Sequence, residues 1–310
     1  MSIEVTGLIK KYGEQRAVDN ISFNVQKGEI VGFLGPNGAG KSTTMKIVTG
    51  YLRQDEGTAT VAGIDVKKDP IGAKRKTGYL PESNPLYYDM YVKEYLSFIA
   101  GIHNISNISR KNRIEEVIRI TGLSPESNKK TGQLSKGYKQ RVGIAASLIH
   151  DPEVLVLDEP TTGLDPNQII EIRELIRKLG QDKTVLFSSH ILQEVEAVCD
   201  RVVIINKGKI VADDRLGNLQ QKDDDTQVVL VNFKENISVE LLNNLREING
   251  LERAGDNGWR ILTTHSESVR KQLLELSLHH NLNIVSLQSE SRSLESIFRN
   301  LTDTKNTSAL

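Results

Sequence analysis

The chain has 310 residues, enough for one large domain and a small one, and its 40 basic and 40 acidic side chains give a net charge of +0. That balance favours neither a nucleic acid nor an acidic surface as partner, and a single cysteine, Cys199, excludes an internal disulfide and fits a reducing compartment. No signal peptide opens the chain and no apolar run reaches the roughly 18 residues a membrane-spanning helix needs, so a soluble protein is expected.

Short alternating runs over residues 3–8 and 21–25, punctuated by Tyr12-Gly13 and Lys27-Gly28, predict an antiparallel β element that residues 58–66 continue. An apolar strand over 30–34 (IVGFL) feeds GPNGAGKST at 35–43, which fits G-x-x-x-x-G-K-[ST] in the strand-then-helix context that pattern requires. The loop of Gly35, Pro36, Asn37, Gly38, Ala39 and Gly40 is expected to cradle phosphate oxygens with its backbone N–H groups. Gly35, Gly38 and Gly40 are needed because a Cβ would block that approach or the backbone angles behind it. Lys41 reaches the β- and γ-phosphates and the Ser42 hydroxyl is placed to ligate Mg²⁺. The helix running from Lys41 through Thr43 aims its positive end at the anion, so the ligand is a nucleoside triphosphate.

A strand over 76–80 leads into GYLPE, with Glu82 just past its end. Residues 83–133 change character. SNPLYYDMYVKEYLSFIAGI and the periodic RKNRIEEVIRITGL predict an inserted helical subdomain, whose cluster Leu86, Tyr87, Tyr88, Met90 and Tyr91 either lines a groove or makes a helix–helix contact. In LSKGYKQRVGIAASLIH (134–150), Ser135 caps a helix with an apolar face. Alone, this is an ordinary core helix. Beside a phosphate loop, its Ser and Gly make a second anion site, which two facing chains would use to close each other's pocket. VLVLDE (154–159) reads as a buried parallel strand whose carboxyl end meets the ligand: Asp158 would hold Mg²⁺, through water, and Glu159 would polarise the attacking water. Asp165 as cap, Pro166 in the first position and Gly180 as stop bound a helix over 166–179. Strands through Val154, Val185 and Val202 complete a parallel sheet covered by helices on both faces.

Residues 216–226, including GNLQQKDDDT, read as a solvated linker. Beyond them come a strand at 227–233, a helix at 239–247 and strands at 251–254 and 259–263 about an Asp256-Asn257-Gly258 turn. A helix at 267–279 and a strand at 283–287 follow. This β-α-β-β-α-β order is the ferredoxin-like pattern, an accessory α+β domain over 227–302 for dimerisation or partner docking. A last helix at 294–301 and a disordered tail at 303–310 are expected, and His279 and His280, adjacent on a helix end, suit no single metal.

Taken together, residues 1–215 resemble the ATP-binding subunits of ABC transporters. LSKGY stands where that family has LSGGQ, with Lys136 and Tyr138 departing from the consensus while Ser135 and Gly137 keep it. The resemblance implies an α/β P-loop NTPase core with an antiparallel β subdomain and an inserted helical subdomain at 83–133 that grips a membrane partner. It implies that Tyr12 stacks on adenine, that Ser135, Lys136, Gly137 and Asp165 (beside Leu164 in TTGLDP) touch the nucleotide of the opposite subunit, and that His190 in LFSSHILQEVE contacts the γ-phosphate. Glu82 stands where the family has a metal-contacting Gln, so Ser42, Asp158 and Glu82 form the expected Mg²⁺ set. The GYLPE form and the opening SIEVTGLIKKYG look like the drug-exporter and gliding-motility branch. The implied function is hydrolysis of Mg-ATP, with Glu159 and His190 catalytic, by a subunit paired with a second copy or a paralogue. It would sit peripherally on the inner face of the cell membrane and drive a separate integral membrane permease in export or gliding; no nucleic acid is expected. The alternative is a soluble ABC-type ATPase acting on ribosomes or DNA. Ribosome-acting members usually carry two ATPase copies and DNA-acting ones long heptad coils, and the sequence has neither.

Overall fold

The computed structural model describes residues 1–221, 227–255 and 257–290, together with Phe298 and Thr302. The chain divides into two compact units, Met1–Leu216 and Gly217–Leu310. The expected helix at 294–301, the tail at 303–310 and Asp256 of the expected turn lie outside the described residues, apart from Phe298.

In the first unit, β1 (Ile3–Tyr12) and β2 (Gln15–Val25) form an antiparallel hairpin closing at Tyr12 opposite Gln15, around Gly13 at φ 60°. Both strands run past the expected bounds because their outer ends, Lys11, Gln15 and Arg16 among them, face solvent and carry no apolar alternation. After β3 (Ile30–Leu34) comes α1 (Lys41–Val48); β4 (Glu56–Val61) and β5 (Ile64–Asp65) then complete a four-stranded sheet in the order β2-β1-β4-β5. Next are α2 (Pro70–Lys76) and β6 (Thr77–Leu80). The helical subdomain follows as α3 (Val92–Ile102) and α4 (Asn107–Ile120). Residues 83–91, expected to be helical, are not: Pro81 and Pro85 bias their predecessors to extended backbone, and the helix starts where the Glu94 carboxylate accepts from Tyr91 N–H.

The remaining elements of this unit are α5 (Lys136–Leu148), β7 (Val154–Asp158), α6 (Pro166–Leu179), β8 (Thr184–Ser189), α7 (Leu192–Val198), β9 (Arg201–Asn206) and β10 (Lys209–Arg215). They build a six-stranded sheet in the order β10-β9-β3-β8-β7-β6, parallel except for β10. Every residue of β3, β7 and β8 is buried, which is why their interiors read as the apolar runs IVGFL, VLVL and VLF without polar alternation. Residues Ile3, Val5, Leu8 and Phe23 of the antiparallel sheet pack on Val31, Phe33, Val156 and Leu186 of the parallel one, with the Phe23 and Phe33 rings 5.3 Å apart. The register sets Leu34 opposite Ser189 and Asp158 opposite Ser188, so three strands end together at one edge.

The residues read as a linker open as a short helix, α8 (Leu216–Gln221). In the second unit, β11 (Gln227–Phe233), α9 (Val239–Leu242), β12 (Ile248–Arg253), β13 (Gly258–Thr263), α10 (Ser266–His279) and β14 (Ile284–Glu290) form an antiparallel sheet in the order β12-β13-β11-β14. This is the ferredoxin-like arrangement, around Val229, Val231, Trp259, Ile261, Val269 and Leu273. Helix α9 stops well short of the expected residue 247: Asn243 and Asn244 favour turn over helix, and Glu247 takes φ 65° before β12 begins. Among the described residues, no helix is long and apolar enough to cross a membrane.

One packing detail carries a pH signature. His103, at the end of α3, stacks on His150, after α5, with ring centroids 3.8 Å apart. His150 Nε2 donates to the Thr77 carbonyl at 3.1 Å, while its Nδ1 is buried without a partner among the described residues. Burial, helped by the neighbouring His103, lowers the His150 pKa from 6.5 to about 4. The unfolded chain therefore binds a proton near pH 6.5 that the folded chain refuses until about pH 4. Stability from this residue is full above 6.5 and falls with pH across that window, by on the order of 3 kcal/mol. Urea midpoints at pH 7 and pH 4.5 should differ less in His150→Gln than in the parent; an equal difference would assign the acid sensitivity elsewhere.

Candidate nucleotide site

The loop between β3 and α1 is shaped by its glycines. Gly40, which caps α1, has φ 110°, and a Cβ there would lie 2.5 Å from the Ala17 carbonyl oxygen. At Gly35 a Cβ would lie 2.4 Å from the Ile205 carbonyl oxygen, whereas Gly38 faces open space and is required by its φ of 78° alone. Asn37 and Gly38 are exposed at the tip, Pro36, Ser42 and Thr43 are half-buried, and Ala39 is buried. The first N–H groups of α1 lack intrahelical partners, as at any helix start, so this end of the helix is an anion site.

Lys41 is buried. Its Nζ donates to the carbonyls of Gly35 at 2.8 Å and Pro36 at 3.4 Å, and lies 3.4 Å from Glu159 Oε1. Asp158, at the end of β7 and 1% exposed, accepts at Oδ1 from Ser188 Oγ at 2.6 Å and from Ser42 Oγ at 3.3 Å. The same Ser188 oxygen accepts from the Glu159 N–H at 2.9 Å. Glu159 sits at φ 50°, a left-handed conformation that is strained for a residue with a side chain. Its Oε2 accepts from His190 Nδ1 at 2.7 Å and from Thr162 Oγ1 at 3.3 Å. Lys41, Ser42, Asp158, Glu159 and His190 thus form one connected constellation, although His190 follows the phosphate loop by well over a hundred residues. Sequence reasoning missed Ser188; its only signal was a small hydroxyl residue ending the strand beside the acids. Nearby Tyr79 is kept a neutral phenol, first by burial and then by the charge of Asp158.

A hydroxyl beside a buried carboxylate is a hard-oxygen donor set that fits Mg²⁺, which typically takes one or two carboxylates together with substrate phosphates and water. Glu82 does not join it. Its side chain is exposed, and among the described residues it bonds to neither Ser42 nor Asp158, the other members of the expected Mg²⁺ set, which the structure does bring together. After β6 the chain bends at residues 82–83, with Glu82 exposed on that bend.

The other expected contacts stand apart from the phosphate loop within the chain. Tyr12, 52% exposed at the end of β1, lies under Lys10 Nζ, which is 5.8 Å from its ring centre. Ser135 caps α5, accepting from Tyr138 N–H at 3.4 Å, and Asp165 caps α6, accepting from Gln168 N–H at 2.9 Å. A Cβ on Gly137 would meet the Gln168 side chain at 2.6 Å, so the two helix starts adjoin. Ser135, Lys136 and Asp165 are exposed there, and among the described residues none bonds to the phosphate loop.

The family profile described as "ABC transporter" matches residues 18–162, from the β hairpin through the site acids, and an "AAA domain, putative AbiEii toxin, Type IV TA system" profile matches 130–196. The chain is 35% identical to the linearmycin resistance ATP-binding protein of Bacillus subtilis, over 97% of this chain and 98% of that one. With the bacitracin transport ATP-binding protein of Bacillus licheniformis it shares 41% identity over 71% of this chain and 72% of the relative. Among solved structures it is similar to a dimeric bacterial ABC transporter cassette (TM-score 0.64, 27% identity, 69% of this chain and 98% of that one). It also matches a cassette dimer in a post-hydrolysis state bound to ADP and Pi (TM-score 0.63, 26% identity, 69% and 98%). With its loop glycines, Lys41, Asp158 and Glu159 arranged as above, the chain belongs to the ATP-binding subunits of ABC transporters, a family of ATPases.

Proposed function

We propose that this chain hydrolyses Mg-ATP as one half of a pair and drives a membrane exporter. The observation that carries the reading is Glu159, which touches Lys41 on one side and His190 on the other beside the Ser42–Asp158 pair. Backbone N–H groups of the loop over residues 37–43, beyond Pro36, which has none, hold the phosphates. Lys41 exchanges its contacts with Glu159 and the Gly35 carbonyl for phosphate oxygens, leaving the Glu159 carboxylate to accept a proton from water. His190 holds that carboxylate in place and meets the γ-phosphate. Mg²⁺, held by Ser42 and, through water, by Asp158, would neutralise phosphate charge. Tyr12, exposed at a strand end, offers its ring to adenine.

Ser135, Lys136, Gly137 and Asp165 lie on two adjoining helix starts that serve no phosphate in their own chain, which supports their closing the pocket of a second copy or a paralogue. The dimeric cassettes are consistent with that pairing. A 460 Å³ cavity between core and helical subdomain, lined by Tyr51, Lys74, Tyr79, Tyr95, His103 and His150, supports docking of a permease there, with this subunit peripheral on the inner membrane face. The resistance and transport names of the relatives favour export over gliding motility. Residues 1–216 are read as the ATPase unit and the ferredoxin-like unit as an accessory docking module.

Glu159→Gln should keep ATP affinity but slow hydrolysis by about 100-fold or more, because it removes the proton acceptor alone. An ATP-dependent dimer should then accumulate in sedimentation; unchanged turnover would remove Glu159 from the mechanism. Lys41→Ala and Ser135→Arg should each be nearly inactive, yet mixed subunits should recover about half the activity of one intact site per pair. No recovery in demonstrated heterodimers would exclude the shared site. A chain truncated after Leu216 should still bind ATP in equilibrium dialysis, and loss of binding by a folded truncation would join the two units into one.

A further inference from the structure

A buried carboxylate outside the phosphate contacts links the two catalytic segments. Glu194, in the first turn of α7, is 2% exposed. Its Oε2 accepts from Thr161 Oγ1 at 2.5 Å and from Ser189 Oγ at 2.8 Å, while its Oε1 is buried without a partner among the described residues. Thr161 follows Glu159 by two residues and Ser189 directly precedes His190, so one oxygen ties together the backbones that carry the 2.7 Å Glu159–His190 pair. Ser189 Oγ also accepts from Ile191 N–H at 2.9 Å, which fixes the turn on the far side of the histidine. The post itself is rigid: α7 sits so close to β3 that a Cβ on Gly32 would come within 2.5 Å of Val195 Cγ1.

Burying a carboxylate with one oxygen unsatisfied costs free energy that an apolar side chain of the same size would not. Among the described residues no ion pair offsets that cost: both of its bonds are to neutral hydroxyls, and both hydroxyls lie on the segments that bear Glu159 and His190. We infer that Glu194 is a positioning residue for hydrolysis, holding Glu159 and His190 in register without touching nucleotide. The inference rests on the proposed role of Glu159 as proton acceptor.

The test compares kcat, KM and ATP affinity in the full-length protein. Glu194→Ala should lower kcat by about 10- to 100-fold, the scale of an ångström-sized misplacement, with ATP affinity changed by no more than about twofold. Glu194→Gln, whose amide oxygen still accepts both hydroxyls, should restore most of the rate. In a His190→Ala background Glu194→Ala should cost far less than in the parent, because the pair it positions is already broken. Equal losses in both backgrounds, or affinity falling in step with kcat, would reduce Glu194 to a structural role and overturn the inference. Should Glu194→Ala fail to fold, the near-isosteric Thr161→Val reads the same non-additivity. A fully active Glu159→Gln would sink the functional reading and this inference with it. An inactive Glu159→Gln beside an unaffected Glu194→Ala would sink this inference alone.

Discussion

The Ser188 hydroxyl is the point on which the site depends. It donates to Asp158 and accepts from the backbone N–H of Glu159, so one oxygen fixes both acids. The bridge exists only because β7 and β8 run parallel with Asp158 opposite Ser188; a one-residue slip would turn the serine to the other face of the sheet. The same register, carried across to β3, places Leu34 opposite Ser189 and so delivers the phosphate loop to the edge where the acids emerge. Burial of every residue in these strands enforces that register: a slip of the sheet would disturb the packing of Phe33, Val156 and Leu186 against the antiparallel layer.

Two hydroxyl bridges are stacked behind that edge. Ser188 holds the acids, and the next residue, Ser189, reaches the Glu194 carboxylate that also takes Thr161. Glu159 lies between the bridges in a left-handed conformation costing on the order of 1–3 kcal/mol, which persists because its N–H and its neighbours on both sides are tied down. The strain aims its side chain across the strand ends, where Lys41 and His190 meet it.

What the sequence made legible follows from the range of the forces involved. The phosphate loop and the helix Pro166–Leu179, with Asp165 capping and Gly180 ending it, are specified by residues adjacent in the chain, and they form as read. Local rules gave way where competing local signals overlapped, as at residues 83–91, where apolar spacing suggested helix and two prolines prevented it. They also gave way at 243–247, where asparagines end a helix that the apolar pattern would continue. Ser188 and Glu194 were not legible at all, since Asp158 and Thr161, which they bond, lie about thirty residues away in sequence and are brought near through the sheet register. Glu82, whose position after a strand matches that of a metal-contacting residue, is exposed in the structure, and among the described residues it bonds to neither Ser42 nor Asp158.

In the proposed mechanism, the contact between Lys41 and Glu159 couples binding to chemistry. Both side chains are 6% exposed and 3.4 Å apart, and each partly neutralises the other in a region poor in water. Separating them without replacement would leave two uncompensated buried charges, which costs several kcal/mol. In that mechanism a polyphosphate in the loop would supply the replacement for Lys41. The freed carboxylate keeps its bonds to His190 and Thr162, which hold it at the strand edge rather than letting it follow the lysine. On the proposed reading, phosphate binding turns a self-neutralised pair into an anchored, unpaired carboxylate. The group proposed to accept a proton from water is then released by the same step that brings the phosphate to it.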